Sequence, residues 1–160
     1  ERTTWVATNQ KVNRRLRSGR CAAVDIAPSI CKFMGFEIPQ EVRWEQDGTS
    51  FYGKSDIMDM EIDPYDNTVN ISWTCLDKKA EVTVYASPTN NFKTGGRDEW
   101  IKVGTTRAKE ERFVVDLLTL PSSKFYKFVL ETPEGSLNRW YDKVPVKYTT
   151  FKYPESYYSE

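Results

Sequence analysis

The rhythm of apolar and polar positions changes near residues 52–56. Before that point the chain predicts one strand, a basic loop and one helix. Residues 3–8 (TTWVAT) are rich in Thr and Val and predict a strand. In residues 25–35, Ile26, Ile30, Phe33 and Met34 recur at spacings of three and four, which places them on one helical face. Asp25 reads as the N-cap of that helix, its carboxylate taking free amides of the first turn. Pro28 falls in the first turn, where no helical hydrogen bond is lost. Gly35 suits a left-handed C-terminal residue, and Pro39 blocks continuation.

After residue 56 the period shortens to two. Residues 57–62 (IMDMEI) alternate apolar with acidic, and DPYDN follows as a turn cluster. Residues 68–75 (TVNISWTC) set Val69, Ile71 and Trp73 on one face, and 80–87 do the same with Val82, Val84 and Ala86. Further strands are expected over 100–105, 112–118, 124–131 and 137–146. This makes about seven strands in roughly 90 residues, with turns at the intervals of an antiparallel sandwich. The expected fold is mainly β, an Ig/fibronectin III-like antiparallel sandwich preceded by a short strand–helix segment. The expected divisions are 1–53, 54–146 and an aromatic-rich tail, 147–160, read as an added edge strand, a packed segment or a loose end.

Composition narrows the functional classes. Of 160 residues, 39% are hydrophobic and 29% charged, a balance that suits a globular chain. Lys plus Arg equals Asp plus Glu, 23 each, so no global field favours a nucleic-acid partner. Histidine is absent, which removes Ser-His-Asp and Cys-His catalysis and histidine-ligated zinc, and leaves carboxylate chemistry open. Cys21, Cys31 and Cys75 show no CxxC spacing. Cys31 and Cys75 lie among apolar residues and read as small core hydrophobes. No apolar run is long enough to span a membrane. The opening ERTTWVATN carries no leader pattern and reads as a processed product or a piece of a longer chain.

Residues 25–51, DIAPSICKFMGFEIPQEVRWEQDGTSF, carry Asp25, Ile26, Ala27, Pro28, Ser29, Gly35, Pro39, Asp47, Gly48, Ser50 and Phe51 in fixed order. This block resembles the alkaline-phosphatase superfamily, in the region found in sulfatases and type I phosphodiesterases. The resemblance implies a parent enzyme that hydrolyses phosphate or sulfate esters at a metal centre held by Asp and His. It implies an extracytoplasmic location: periplasmic, secreted or cell-surface. The family's metal ligands and nucleophile lie mostly upstream of this helix, so none maps here. No catalytic residue, metal ligand or cofactor is expected, and the partner implied is the rest of the hydrolase domain. The second half resembles a fibronectin type III module: Trp73 matches its core tryptophan, and Leu120 and Tyr126 match its Leu-x5-Tyr corner.

Other residues carry weaker suggestions. Trp100, Trp140 and Tyr141 are candidates for a sugar-stacking platform, against the alternative that they pack inside. That platform motivates the competing reading, a stand-alone carbohydrate-binding or adhesion module with a glycan partner. Lys11, Arg14, Arg15, Arg17 and Arg20 form either a nucleic-acid or phosphate patch or a solvated loop on a larger domain. Gly95, Gly96 and Arg97 suggest an anion cradle or a plain turn. Asp63 and Asp66 suggest a turn or a weak calcium site. The helix face of Ile30, Phe33 and Met34 must find a partner, so Phe33→Asp is expected to destabilise or aggregate the chain.

Overall fold

The computed structural model describes residues 5–19 and 21–143. Among these residues seven antiparallel strands form two packed sheets, an Ig/fibronectin III-like sandwich. The strands are β1 (Ile57–Tyr65), β2 (Thr68–Cys75), β3 (Glu81–Ser87), β4 (Ile101–Arg107), β5 (Arg112–Asp116), β6 (Phe125–Thr132) and β7 (Gly135–Asp142). One sheet has the order β1-β2-β5 and the other β4-β3-β6-β7.

Alternation places the core between the sheets. Val69, Ile71 and Trp73 from β2 face Val82, Val84 and Ala86 from β3, all buried. The Trp73 indole donates to the Ala108 carbonyl at 2.8 Å, so its only polar atom is satisfied inside. Tyr126 donates its hydroxyl to the Pro121 carbonyl at 3.0 Å and accepts from the Ser123 amide at 3.0 Å. Leu120 is buried beside it. These bonds tie the start of β6 to the turn before it, as in a tyrosine corner.

Strand β6 departs from simple alternation. Residues Tyr126, Lys127, Phe128, Val129 and Leu130 are all buried, so both of its faces are covered. The inner face meets the core. The outer face is covered by residues 43–46, which follow and include the end of a short helix, α3 (Gln40–Arg43). Trp44 is only 6% exposed there. Its ring lies 4.5 Å from the Tyr85 ring and 4.9 Å from the Trp100 ring, centroid to centroid. Residues 43–46 thus form a short third layer on the outer face of the four-stranded sheet.

The N-terminal segment differs from the sequence expectation in three ways. Residues 5–8 carry no strand, and residues 3 and 4 lie outside the described residues. The basic stretch contains one helical turn, α1 (Arg14–Arg17), capped by the Asn13 side chain. Helix α2 (Ile26–Met34) starts after a 3-10 turn, Ala23–Asp25, and Asp25 does not cap it. Asp25 already has helical dihedrals, so its carboxylate points back and across instead. Gly35 ends α2 in the left-handed region, with the Phe36 amide bonded to the Cys31 carbonyl at 2.9 Å. The tail 147–160 lies outside the described residues.

Candidate functional site

Asp25 holds the N-terminal segment together. Its side chain is fully buried. The carboxylate accepts from the Ala22 amide at 2.8 Å, the Thr49 amide at 2.7 Å and the Arg15 Nε at 3.1 Å. Ser29 donates to the Asp25 carbonyl at 2.6 Å and accepts from the Phe51 amide at 2.9 Å. Pro28 is buried in the first turn of α2. Gly48 lies against the same knot, where an added Cβ would sit 1.9 Å from the Val24 carbonyl oxygen. The fixed residues of the 25–51 block therefore close one loop-and-helix unit around a buried carboxylate. Gly48→Ala is expected to cost about 1–3 kcal/mol, because backbone rather than a side-chain tip must yield. A shift of the urea midpoint at constant slope is the measurement, and an unchanged midpoint would show that the close approach relaxes freely.

With Pro28 and Ser29 turned inward, the opposite face of α2 is half exposed among the described residues. Ile30, Phe33 and Met34 are 51%, 53% and 56% exposed, and Val24 and Phe36 flank them at 52% and 60%. Phe33 touches only the edge of Tyr52 among ring contacts, at 5.3 Å. The face that the spacing predicts exists, and among the described residues its three side chains stay about half exposed, with the Tyr52 ring at one edge. A contiguous apolar surface of this kind marks a contact site.

Lys32 leaves the inner side of α2 and reaches the sandwich. Its ammonium donates to the Lys54 carbonyl at 2.7 Å and to Glu134 in the β6–β7 turn at 3.1 Å. A groove of about 350 Å³ runs along this junction, between Pro28 and Phe36 on one side and residues 132–137 on the other. The α2 unit is thus held to the β half by specific bonds.

The outer face of β6 carries a buried charge cluster. Lys127 is 1% exposed at its side chain and donates to Glu45 and Asp98, each at 2.6 Å. Asp98 also accepts from the Asn91 amide at 2.5 Å and from Thr89 Oγ1 at 3.1 Å. Burial pushes the Asp98 carboxyl up, but the Lys127 and Asn91 bonds outweigh it and hold it below the usual range. Burial pushes Glu45 up, and its bond to Lys127 does not recover the loss. Beside this cluster, Glu131 accepts from the Arg43 guanidinium and the Trp44 indole. Asn138 donates to the carbonyls of Trp44 at 2.8 Å and Gln46 at 2.9 Å.

The aromatic candidates do not come together. Trp140 and Tyr141 are consecutive on β7 and point to opposite faces. Tyr141 packs against the core. Trp140 stands on the outer face, edge-on to Phe125 at 5.7 Å, with the Lys127 ammonium 5.4 Å from its ring. Trp100 precedes β4 at the far edge of the sheet, roughly 14 Å away across three strand spacings, and packs on Trp44. One flat platform from these three is excluded by the topology.

The minor candidates resolve as local structure. The Gly95 and Gly96 amides donate to the carbonyls of Phe92 and Asn91, so they are not turned towards an anion. Among the described residues no group of three or more His, Cys, Asp or Glu side chains is placed to hold a metal ion. Cys31 and Cys75 are both half-buried: Cys75, at the end of β2, packs against the sandwich core as the sequence suggests, whereas Cys31 lies on α2 and is not part of that core. Burial and then nearby carboxylates push the Cys21 and Cys75 thiols up, so both stay protonated at neutral pH. No helix among the described residues is long and apolar enough to cross a membrane.

Trp44, Glu45, Asp98 and Glu131 had no signal of their own in the sequence. The one available hint was a lysine inside the otherwise apolar run FYKFVL. A central lysine at that position either faces solvent or requires buried acids from elsewhere in the chain.

No family model matches the chain, and no curated protein matches it. Two solved structures show partial likeness. The Clostridium perfringens spore cortex lytic enzyme SleM aligns with a TM-score of 0.39 at 15% identity, over 54% of this chain and 27% of that one. Pectate lyase Pel3 from Pectobacterium carotovorum aligns with a TM-score of 0.37 at 22% identity, over 57% of this chain and 27% of that one. The chain thus spans about a quarter of the length of either enzyme, at an overall similarity too low to carry function.

Proposed function

We propose that this chain is a non-catalytic accessory region of a larger extracytoplasmic hydrolase of the phosphodiesterase or sulfatase kind, packing against and positioning its catalytic domain. The observation that carries this reading is the apolar face of α2, which is half exposed among the described residues. Ile30, Phe33 and Met34 lie on one side of a helix whose other side, at Pro28 and Ser29, is already buried against its own loop. A helix with one satisfied face and one exposed apolar face is half of a packing interaction. The resemblance of residues 25–51 to the alkaline-phosphatase superfamily supports reading the missing half as a hydrolase domain. The sandwich, locked to α2 through Lys32 and Trp44, would then be carried in a set orientation on the enzyme.

Exposure reverses the expectation for Phe33. In the chain alone, Phe33→Asp is expected to change stability by less than about 1 kcal/mol, since the ring is half in water already. In the complete gene product the same change should lower the melting temperature and hydrolase activity together. Mass spectrometry of the protein from its source establishes what that product is. A product of this size with no hydrolase domain, or a complete product indifferent to Phe33→Asp, would remove the reading.

A further inference from the structure

The basic stretch forms a shaped site. Lys11, Arg14, Arg17 and Lys54 line one concavity of about 570 Å³, together with Val12, Asn13 and Gly53. All four cations are exposed. Among the described residues no ion pair joins any of them to a carboxylate, and the nearby acids Asp25 and Glu134 are taken by Arg15 and Lys32.

The walls are held by specific bonds rather than by a loose loop. Val12 bridges to Tyr52 in antiparallel fashion, and the Asn13 amide donates to the Phe51 carbonyl at 2.9 Å. The Asn13 side chain donates to the Ser50 carbonyl at 2.8 Å and accepts from the Arg15 amide at 3.1 Å. Gly53, at φ +72°, turns the chain so that Lys54 lines the same concavity. The Lys54 carbonyl is pinned by Lys32. Two segments some 40 residues apart in sequence thus present like charges across a fixed gap.

The chain as a whole is neutral, so this concentration of charge is local. Like charges held together raise one another's energy, and an anion between them relieves it. Exposed single pairs contribute little after screening, so a useful ligand must carry several charges. Guanidinium forks match the oxygens of phosphate and sulfate groups in a bidentate manner, which carboxylates spread along a flexible chain do not exploit as well. No aromatic ring lines the concavity, and its polar side chains are the four cations and Asn13.

We propose that this concavity binds a multiply charged phosphate or sulfate ester, with Arg14 and Arg17 gripping the oxyanion and Lys11 and Lys54 adding charge from the rim. The test is an NMR titration of the isotope-labelled protein with inorganic tripolyphosphate, a sulfated disaccharide and succinate. Tripolyphosphate or the sulfated sugar should give saturable shifts confined to residues 11–17 and 53–54, and the tighter of the two identifies the ester. Arg14→Ser with Arg17→Ser should weaken binding at least about tenfold while melting with the parent chain. No saturation up to about 10 mM, equal shifts with succinate, or unchanged affinity in the double variant would each overturn the site.

Discussion

Lys127→Met is expected to destabilise the protein by about 3–5 kcal/mol, the range for leaving buried charge without its partner. The lysine side chain is 1% exposed and holds both Glu45 and Asp98. Removing it leaves two carboxylates facing each other with little water to screen them. The two acids should then respond differently to neutral replacement. Asp98, held low by Lys127 and the Asn91 amide, gains from being charged, so Asp98→Asn should cost about 1.5–3 kcal/mol. Glu45 is held high by burial, so Glu45→Gln should cost under about 1 kcal/mol at neutral pH.

The pH dependence follows from the same directions. The Glu45 contribution is present below its unfolded value, about 4.3, and is lost as pH rises through its raised folded value. The Asp98 contribution is present above about 3.9 and is lost as pH falls through its lowered folded value. In Lys127→Met both acids lose the cation and titrate upward, so mild acid should narrow the gap to the parent protein. Urea unfolding of the four proteins at two pH values measures this. A gap that widens on acidification would show that the carboxylates are not the source of the loss.

Trp44→Ala is expected to cost about 3–5 kcal/mol, as for other large aromatic deletions, and to loosen the whole first third of the chain. The indole fills the space between Tyr85 and Trp100 and donates to Glu131. Without it the contact of residues 43–46 with the sheet reduces to the Asn138 bonds and the ion pairs of Arg43 and Glu45. Limited proteolysis should cut residues 9–54 in the variant and spare the sandwich. Resistance equal to the parent would mean that the ion pairs suffice to hold the layer.

The sandwich was legible because each of its strands is half-buried, and half-burial writes a period of two. Val69, Ile71 and Trp73, or Val82, Val84 and Ala86, can be read from the chain without reference to any partner. The Leu120–Tyr126 corner was legible for a related reason, since its bonds span only a few residues. Strand ends were less sharp: β1 continues through Pro64 to Tyr65, and residues 117–119 form a 3-10 turn rather than the end of β5. The strand expected over 3–8 rested on propensity alone, and residues 5–8 have no neighbouring strand to pair with.

The candidate site was legible only in its helix. The spacing of Ile30, Phe33 and Met34 showed that an apolar face exists, but not whether anything covers it. The sugar platform of Trp100, Trp140 and Tyr141 failed because strand pairing puts β4 and β7 at opposite edges and consecutive residues on opposite faces. Asp25 was identified as important, yet its partners Arg15 and Thr49 come from either side of it in the chain and carry no mutual signature.

The sequence by itself determined the sandwich, the helix with its apolar face, and the absence of any histidine chemistry. These follow from local periodicity and residue type, which act within a strand or a turn. Only the tertiary structure decided that residues 43–46 form a third layer, that Lys127 is buried with Glu45 and Asp98, and that the α2 face stays half exposed among the described residues. The reason is that burial of a charge, and exposure of an apolar side chain, depend on which distant segment arrives at that surface. No pattern along the chain encodes that arrival.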